Sequence, residues 1–398
     1  MIRALCWAQR PLFRFYHNIP KTARMAVDQQ RGPDDGLPDS ALNPADYSSV
    51  VKTIPDNSPD TKVLYTLSAR YFPLNLKVSI FDTLKSKSIP ARNVLFVITF
   101  ADQVLEKPLE RDADLQTLRE SYWRSLNSYL SLYSSQTIDR ENVMVTSTKY
   151  PRSITKLFEK LIHSDHKTYY VIGQTNTGKS SLVQRLIVES NDYQSVPVVP
   201  KVSAKPCSTR RNGTFVCPYF GLTLVDTPGM LPKTHSIYAV LRPQLRQSVL
   251  SWGATNSIRT RVFTFRDTEQ VLGLGPCMAL RSRGHTGPLS LRQYFWGPTK
   301  LFRDLAEWQA WLADRRYVCG SRWTAYKLHA SAGLCDVIIS NLGFVRFENG
   351  CPPLTVYMPS CLRAVQRFYA DEDHYKELEL QANATFGRSE SACASCTN

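Results

Sequence analysis

Short apolar runs alternate with longer segments of helical periodicity between residues 63 and 252. Residues 114–133 and 154–163 carry apolar side chains three and four positions apart, as one face of a helix does. The short runs are rich in β-branched residues and end in polar turns, which is typical of buried parallel strands. These runs are KVSIFDTL (77–84), NVLFVIT (93–99), ENVMVTS (141–147), YYVIG (169–173) and GLTLVDT (221–227). The alternation predicts an α/β domain with a mostly parallel sheet over residues 63–252.

The pattern changes after about residue 255. A basic, Gly-containing stretch (279–293) gives way to aromatic residues and then to strand-like runs at 335–347 and 354–359. We expect a second, α+β domain over residues 253–375, with a role in binding RNA or protein, and a polar tail over 376–398. Before the first domain, residues 28–62 are rich in Pro, Asp, Ser and Gly, which predicts a linker.

The most specific motif is a phosphate-binding loop. Residues 173–180, GQTNTGKS, match G-x-x-x-x-G-K-[ST] at every fixed position, after an apolar strand and before an apolar helical run. In such a loop the backbone N–H groups surround the phosphates, Lys179 reaches the β- and γ-phosphate oxygens, and the Ser180 hydroxyl binds Mg²⁺. The predicted nucleotide contacts in this loop are Gly173, Gln174, Thr175, Asn176, Thr177, Gly178, Lys179, Ser180 and Ser181.

A second motif follows at the end of the run over 221–227. Asp226 and Gly229 form Asp-x-x-Gly, in which the carboxylate holds Mg²⁺ and the glycine amide senses the γ-phosphate. Between the two motifs, Thr209 is a candidate for the hydroxyl that completes Mg²⁺ coordination, although a simple local turn also accounts for it. The predicted metal ligands are thus Ser180, Thr209 and Asp226, and these motifs predict Lys179, Thr209 and Gly229 as catalytic residues.

The base-reading motifs expected of a GTPase precede the phosphate loop instead of following it. Thr99-Phe100-Ala101-Asp102 ends one apolar run, and Asp102 can accept hydrogen bonds from both guanine N1–H and N2–H₂. Ser147 and Thr148 end the next run, at the place of the usual S-A-K-like loop. This order predicts a circularly permuted P-loop GTPase domain that binds GTP. Phe100 stands where lysine is usual, but an aromatic ring can still supply a surface for stacking.

In this motif order the sequence resembles the circularly permuted ribosome-assembly GTPases of the YqeH type. The resemblance covers roughly residues 65–365 and rests also on FPLNLKVSIFD (72–82), LPKTHSIYAVLRP (231–243) and DVIISNLGFVRF (336–347). It implies a GTPase that acts in assembly of the mitochondrial small ribosomal subunit. It also implies that Asn176 is a catalytic residue that helps to bind K⁺; an Asn that only stabilises the turn is the alternative. Members of the bacterial type carry an N-terminal Cys-rich zinc module, whereas Cys6 is the sole cysteine in the first 200 residues of this chain.

Charge points to an organelle and to a polyanionic partner. Residues 1–27 contain five Lys or Arg residues and no acidic residue, which predicts a mitochondrial transit peptide and a matrix location; a disordered basic tail is the alternative. The formal net charge of +15 favours RNA or an anionic membrane surface; a basic import segment in a generally basic organellar proteome is the alternative. The expected partner is the mitochondrial small ribosomal subunit or its rRNA, and peripheral association with the inner membrane is compatible with this charge. No apolar run approaches the roughly 18 residues of a transmembrane segment.

Three functions remain open at this point, and the sequence does not determine the oligomeric state. Met230 occupies the position of a common water-orienting Gln, which favours a slow GTPase. A nucleotide-regulated or nucleotide-free RNA- or protein-binding scaffold is the second reading, and an ATP-using enzyme is the third. For RNA, the candidate contacts are the following basic and aromatic residues, unless they form a solvated face and a core: Arg281, Arg283, Arg292, Lys300, Tyr294, Phe295 and Trp296.

Overall fold

The computed structural model describes the chain from Tyr47 to Ala382 with gaps. The described residues are 47–56, 61–89, 93–105, 111–132, 136–147, 150–190, 199–200, 202, 209, 211–217, 220–231, 237–241, 259–275, 277–294, 297–315, 322–368 and 374–382. The predicted transit peptide, most of the predicted linker, most of the polar tail, Thr148, Phe295 and Trp296 lie outside them.

Six strands form the first sheet in the order β3-β2-β1-β4-β6-β5. All neighbours in it are parallel except β5, which is antiparallel to β6. The predicted α/β architecture with a mostly parallel sheet is confirmed. The strands are β1 (Thr61–Ser68), β2 (Val94–Thr99), β3 (Val143–Val145), β4 (Thr168–Gly173), β5 (Gly213–Cys217) and β6 (Leu222–Asp226).

Helices cover both faces of this sheet, because alternate side chains of its central strands point to opposite sides. On one side, Tyr65 and Phe96 pack with apolar residues of helices α1 to α3. On the other, Leu64 and Leu95 pack with α4 and α5. The helices are α1 (Tyr47–Lys52), α2 (Ile80–Ser86), α3 (Asp112–Ser131), α4 (Arg152–Ile162), α5 (Lys179–Ser190) and α6 (Ile237–Val240).

Two parts of the sequence prediction need correction. The run 77–84, predicted to be a strand, lies mainly in helix α2, because Ile80, Phe81 and Leu84 are spaced to bury one helical face. The last part of the predicted linker, 28–62, is folded instead of forming a linker. Helix α1 lies within it and is anchored by buried apolar side chains, and β1 begins at Thr61.

Residues beyond 258 form two antiparallel six-stranded sheets, so this part has far more strand than the predicted α+β pattern suggests. Their orders are β17-β16-β13-β14-β10-β7 and β11-β8-β9-β15-β12-β18. One helix of at least one turn, α7 (Leu305–Arg315), occurs among the described residues there. The strands are β7 (Arg259–Phe265), β8 (Val271–Leu274), β9 (Met278–Ser282), β10 (Gly287–Gln293), β11 (Thr299–Phe302), β12 (Trp323–Lys327), β13 (Cys335–Ile339), β14 (Gly343–Phe347), β15 (Leu354–Pro359), β16 (Ala364–Phe368), β17 (His374–Glu377) and β18 (Glu379–Ala382).

The β13–β14 hairpin and its neighbours pack directly against the α/β part. Tyr294, Ile338 and Phe344 belong to the same buried apolar cluster as Tyr65 and Phe96 of the first sheet. Arg346 of β14 donates a hydrogen bond to the carbonyl oxygen of Val104 at 2.8 Å. The sheet that contains β13 and β14 therefore shares a core with the α/β part.

Within the described part of the chain, every helix is too short or too polar to cross a lipid bilayer.

Candidate functional site

The phosphate-binding loop runs from the carboxyl end of β4 to the start of α5. Gly173 has a φ of 153°, and a Cβ atom there would lie 2.3 Å from the Thr66 hydroxyl oxygen, so only glycine fits. The Thr66 and Thr177 hydroxyls lie 2.8 Å apart and fasten the loop to β1. Ser181 lies in the first turn of α5. The loop is thus held at the centre of the sheet, between β1 and β6.

Lys179 is buried and its ammonium group crosses the loop. Its Nζ donates to the carbonyl oxygens of Gly173 at 3.2 Å and of Gln174 at 2.9 Å. Asn176, at the loop's outer bend, has a φ of 57°, a left-handed conformation that Asn tolerates better than most residues. The Lys179 ammonium group therefore lies at the loop itself, where phosphate oxygens would bind.

The three predicted metal ligands lie together, although they are far apart in sequence. The Ser180 hydroxyl donates to Asp226 Oδ2 at 2.6 Å, and the Thr209 hydroxyl lies 3.5 Å from the same oxygen. The hydroxyl oxygens of Ser180 and Thr209 are 3.2 Å apart. This all-oxygen group is the kind of ligand set that Mg²⁺ prefers.

The Asp226 carboxylate has one oxygen that the described protein groups leave unsatisfied. Its Oδ1 atom is buried and has no hydrogen-bond partner among the described residues. Burial raises the pKa of Asp226 above its ordinary value, and the Ser180 hydrogen bond and the Lys179 charge oppose this only in part. A divalent cation would satisfy Oδ1 and favour the charged form, so the residues present fit Mg²⁺.

The segment after Asp226 lies against the phosphate-binding loop. The Thr175 amide donates to the Met230 carbonyl oxygen at 2.8 Å, and the Met230 amide donates to the Gly173 carbonyl oxygen at 3.2 Å. A Cβ atom on Gly229 would lie 2.9 Å from Thr175 Cα, so glycine permits this close approach. The Met230 side chain is fully buried and belongs to the apolar cluster that also contains Tyr65 and Phe96.

The predicted base-reading residues form a second group at the same edge of the sheet. The Thr99 hydroxyl donates to the Thr177 carbonyl oxygen at 2.7 Å, which ties the end of β2 to the phosphate-binding loop. The Ser147 hydroxyl donates to Asp102 Oδ1 at 3.0 Å, although 45 residues separate them. The Ser147 amide in turn donates to the Ser153 hydroxyl oxygen at 2.9 Å. One Asp102 carboxylate oxygen is thereby held in place beside the loop.

Sequence reasoning missed several residues of this site. Thr66 and Ser153 support the loops, Arg70 packs on Phe100, and Asn341 donates to the side-chain oxygen of Gln174. Thr66, Arg70 and Ser153 belong to no recognisable motif, and Asn341 lies in the stretch 336–347, for which sequence reasoning proposed no role in the site. They come together through strand pairing and through the packing of the C-terminal hairpin.

The candidate RNA contacts divide. Tyr294 is buried and stacks on Phe344 with ring centroids 3.9 Å apart, so it is a core residue. Arg281 pairs with Glu269, and Arg292 pairs with Glu348. Arg283 is exposed. These pairings favour the interpretation in which a solvated basic face surrounds core aromatics.

A family model described as 50S ribosome-binding GTPase matches residues 168–266, which include the phosphate-binding loop, Thr209 and Asp226. Together with the geometry above, this match indicates the class: residues 168–266 are similar to a GTPase domain.

The chain is further similar to mitochondrial proteins named genetic interactor of prohibitins 3. It is 25% identical to the protein of Candida albicans over 187 residues, which is 46% of this chain and 26% of that protein. It is 29% identical to the protein of Meyerozyma guilliermondii over 134 residues, which is 33% of this chain and 20% of that protein. The matched part spans about a quarter of the length of these relatives. The predicted resemblance is confirmed: the chain is similar to these mitochondrial proteins, and part of it matches a GTPase family.

Proposed function

We propose that this protein is a slow GTP hydrolase with a circularly permuted GTPase domain, acting in assembly of the mitochondrial small ribosomal subunit. The observation that carries the proposal is the meeting of two groups at one edge of a sheet. The Ser180–Asp226 group lies at the ends of β4 and β6, and the Asp102–Ser147 group lies beyond β2 and β3. The first group suits phosphates with Mg²⁺, and the second suits guanine.

Circular permutation is supported by the order in which the chain supplies these groups. The strands that lead to Asp102 and Ser147, β2 and β3, precede the phosphate-binding loop in sequence, yet they belong to the same sheet, in the order β3-β2-β1-β4-β6-β5, where β1 alone separates β2 from β4. The base reader therefore comes first in the chain, and Asp226 comes last. The GTPase domain spans residues 63–252 in this proposal, to which helix α1 adds a buried edge.

The residues divide the work of phosphoryl transfer to water among them. Lys179 binds the β- and γ-phosphate oxygens, and Ser180, Thr209 and Asp226 hold Mg²⁺. When bound, the metal neutralises charge on the transferring phosphoryl group. The Gly229 amide contacts the γ-phosphate, and Asn176 helps to hold a K⁺ ion. Residue 230 is Met instead of a Gln that could orient water, and its apolar side chain is buried. Hydrolysis is therefore slow.

Hydrolysis changes the C-terminal part in this proposal. The Met230 backbone pairs with the phosphate-binding loop, and its side chain belongs to the apolar cluster that also contains Tyr294, Ile338 and Phe344 of the C-terminal part. Loss of the γ-phosphate at Gly229 then shifts Met230 and the β-rich part that contacts the ribosomal particle. Equal affinity of the GTP- and GDP-bound protein for the small subunit would contradict this step.

The partner is proposed from two sources. The matching family's description names ribosome binding, with a 50S particle, and the motif resemblance points to the mitochondrial small subunit. The net charge of +15 suits an rRNA surface in the matrix or at the inner membrane. Gradient sedimentation of mitochondrial lysate with GTP and with GDP tests this. Comigration with the large subunit alone would reject the small subunit as the partner.

The nucleotide itself is tested by binding and turnover of GTP and ATP, measured in K⁺ and in Na⁺. We expect GTP to be preferred and K⁺ to accelerate turnover. Lys179→Ala should abolish binding of both nucleotides, whereas Asp102→Ala should remove the preference for GTP. The exposed Lys52→Ala is the matched control for loss of a lysine. Equal affinity for GTP and ATP in the wild-type protein would reject the assignment.

A second function, a scaffold that binds RNA or protein without hydrolysis, is favoured by two observations. Phe100 replaces the reader lysine, and the Met230 side chain is buried in the core. Full association with the ribosomal particle by Lys179→Ala, with no turnover by the wild-type protein in K⁺, would establish this function instead.

A further inference from the structure

Phe100 packs against a cationic residue that follows a different strand. The guanidinium carbon of Arg70 lies 4.1 Å from the centroid of the Phe100 ring and 5.9 Å from that of the Tyr71 ring. A cation at such a distance over an aromatic face is attracted by the negative charge of the ring face. Arg70 therefore brings a positive charge to the loop from which the usual reader lysine is missing.

The fold fixes this arrangement through the backbone. Ser68, the last residue of β1, is the register partner of Thr99, the last residue of β2. Beyond them, the Ala69 amide donates to the Thr99 carbonyl oxygen at 2.9 Å, and Asn75 Nδ2 donates to the Ser68 carbonyl oxygen at 3.1 Å. The turn that carries Arg70 is thus held beside Phe100. Arg70 is only 9% exposed, so its guanidinium has little freedom.

The same pair reaches the phosphate-binding loop. A Cβ atom on Gly178 would lie 3.2 Å from Cε2 of Phe100, so the edge of the ring touches this loop. The Tyr71 hydroxyl lies 3.5 Å from the Asn176 carbonyl oxygen. Asp102, the carboxylate that would accept the guanine N–H groups, follows Phe100 by two residues. Arg70 and Phe100 therefore join the phosphate-binding loop to the base reader.

We propose that Arg70 is a base-binding residue: its guanidinium, backed by Phe100, supplies the flat cationic surface on which the guanine of GTP stacks, in place of the reader lysine. Arginine suits this role because its guanidinium is planar, stacks on aromatic faces and is less strongly hydrated than an ammonium group. The inference rests on the proposed binding of GTP. The alternative is that Arg70 only holds the reader loop in place.

The test measures dissociation constants of the full chain for GTP and GDP with Mg²⁺. Arg70→Met should weaken binding roughly 2- to 30-fold, the range of a cation–π contact from exposed to desolvated sites. The loss should be the same for GTP and GDP, because they share the base and differ only at the γ-phosphate. Arg266→Met, at an exposed arginine, is the control and should bind as the wild-type protein does.

Restoring a lysine separates base binding from support of the loop. In the Arg70→Met background, Phe100→Lys should recover most of the affinity, because it returns the cation to its usual place. Arg70→Lys should give an intermediate loss, since it keeps the charge but not the planar group, and it serves where Arg70→Met fails to fold. Unchanged affinity in both Arg70 variants, a larger loss for GTP than for GDP, or no recovery by Phe100→Lys would each overturn the role of Arg70. Absence of GTP binding by the wild-type protein would instead reject the proposed function as well.

Discussion

The Asn341 side-chain amide donates a hydrogen bond to the Gln174 side-chain oxygen at 2.6 Å, across 167 residues of sequence. Asn341 lies in the turn between β13 and β14, and Gln174 is the second residue of the phosphate-binding loop. Both residues are buried. The β13–β14 hairpin therefore contacts the phosphate-binding loop directly. The segment after Asp226 does not mediate this contact.

Removing the Asn341–Gln174 hydrogen bond should lower both the stability of the protein and its affinity for GTP. Asn341 has a φ of 58°, so Asn341→Gly removes the amide without forcing a new residue into the left-handed region. We expect the free energy of unfolding to fall by about 1–3 kcal/mol, because Gln174 keeps a buried and unsatisfied oxygen. GTP affinity should fall as well.

A double-mutant cycle in urea with Gln174→Met isolates the pair. The double variant should lose less than the sum of the single losses, because neither polar group is then left alone. Strict additivity would mean that the two side chains do not interact.

The same hairpin contacts the segment just after the predicted base-reading residues through Arg346. Its guanidinium pairs with Asp336 at 2.8 Å and donates to the Val104 carbonyl oxygen, with both charged side chains only 2% exposed. Arg346→Met should lower the free energy of unfolding by about 3–5 kcal/mol, because it leaves a buried, uncompensated carboxylate. Arg346→Met with Asp336→Leu should be less harmful than Arg346→Met alone. Urea unfolding measures both, and a double variant as unstable as the single one would contradict the explanation.

Apolar runs and helical spacing in the sequence predicted those strands and helices whose own residues carry a clear pattern. The strands that end at Thr99 and Gly173, and the helix over Arg152–Ile162, carry runs or spacings that few other structures share. The Ser180–Asp226 group followed from motifs whose residue types are set by phosphate and Mg²⁺ chemistry. The role of each predicted ligand remains a prediction.

Long-range packing determined what the sequence did not indicate. β1 reads TKVLYTLS, with polar residues at half of its positions, yet it is the central strand between β2 and β4. Arg70 and Asn341 reach the site only because strands pair in register and a distant hairpin packs on the loop. The run 77–84 misled because its β-branched residues hide a helical spacing.

The Asp226 carboxylate should destabilise the metal-free protein and should be required for binding of Mg²⁺. Its buried Oδ1 lacks a hydrogen-bond partner among the described residues, and burial raises its pKa because the charged form is poorly solvated. Asp226→Asn should therefore increase the free energy of unfolding by roughly 1 kcal/mol in EDTA. The same variant should lose the stabilisation that Mg²⁺ with GTP gives the wild-type protein. Thermal unfolding with and without Mg²⁺ measures both effects, and a variant less stable than the wild-type protein in EDTA would contradict this account.

At Met230, motif comparison and the structure lead to opposite predictions for the effect of a glutamine on GTP hydrolysis. A glutamine there orients water in many GTPases, so motif comparison alone suggests that Met230→Gln would accelerate hydrolysis. The structure predicts the opposite, because this side chain is fully buried among apolar residues that include Tyr294 and Phe344. A glutamine amide in that cluster would have to find new hydrogen-bond partners, at a cost of about 1–3 kcal/mol in the free energy of unfolding. Turnover of GTP in K⁺ should not increase. Met230→Leu, which keeps the apolar contact, should retain both stability and turnover, and faster hydrolysis by Met230→Gln would show that the side chain reaches the nucleotide.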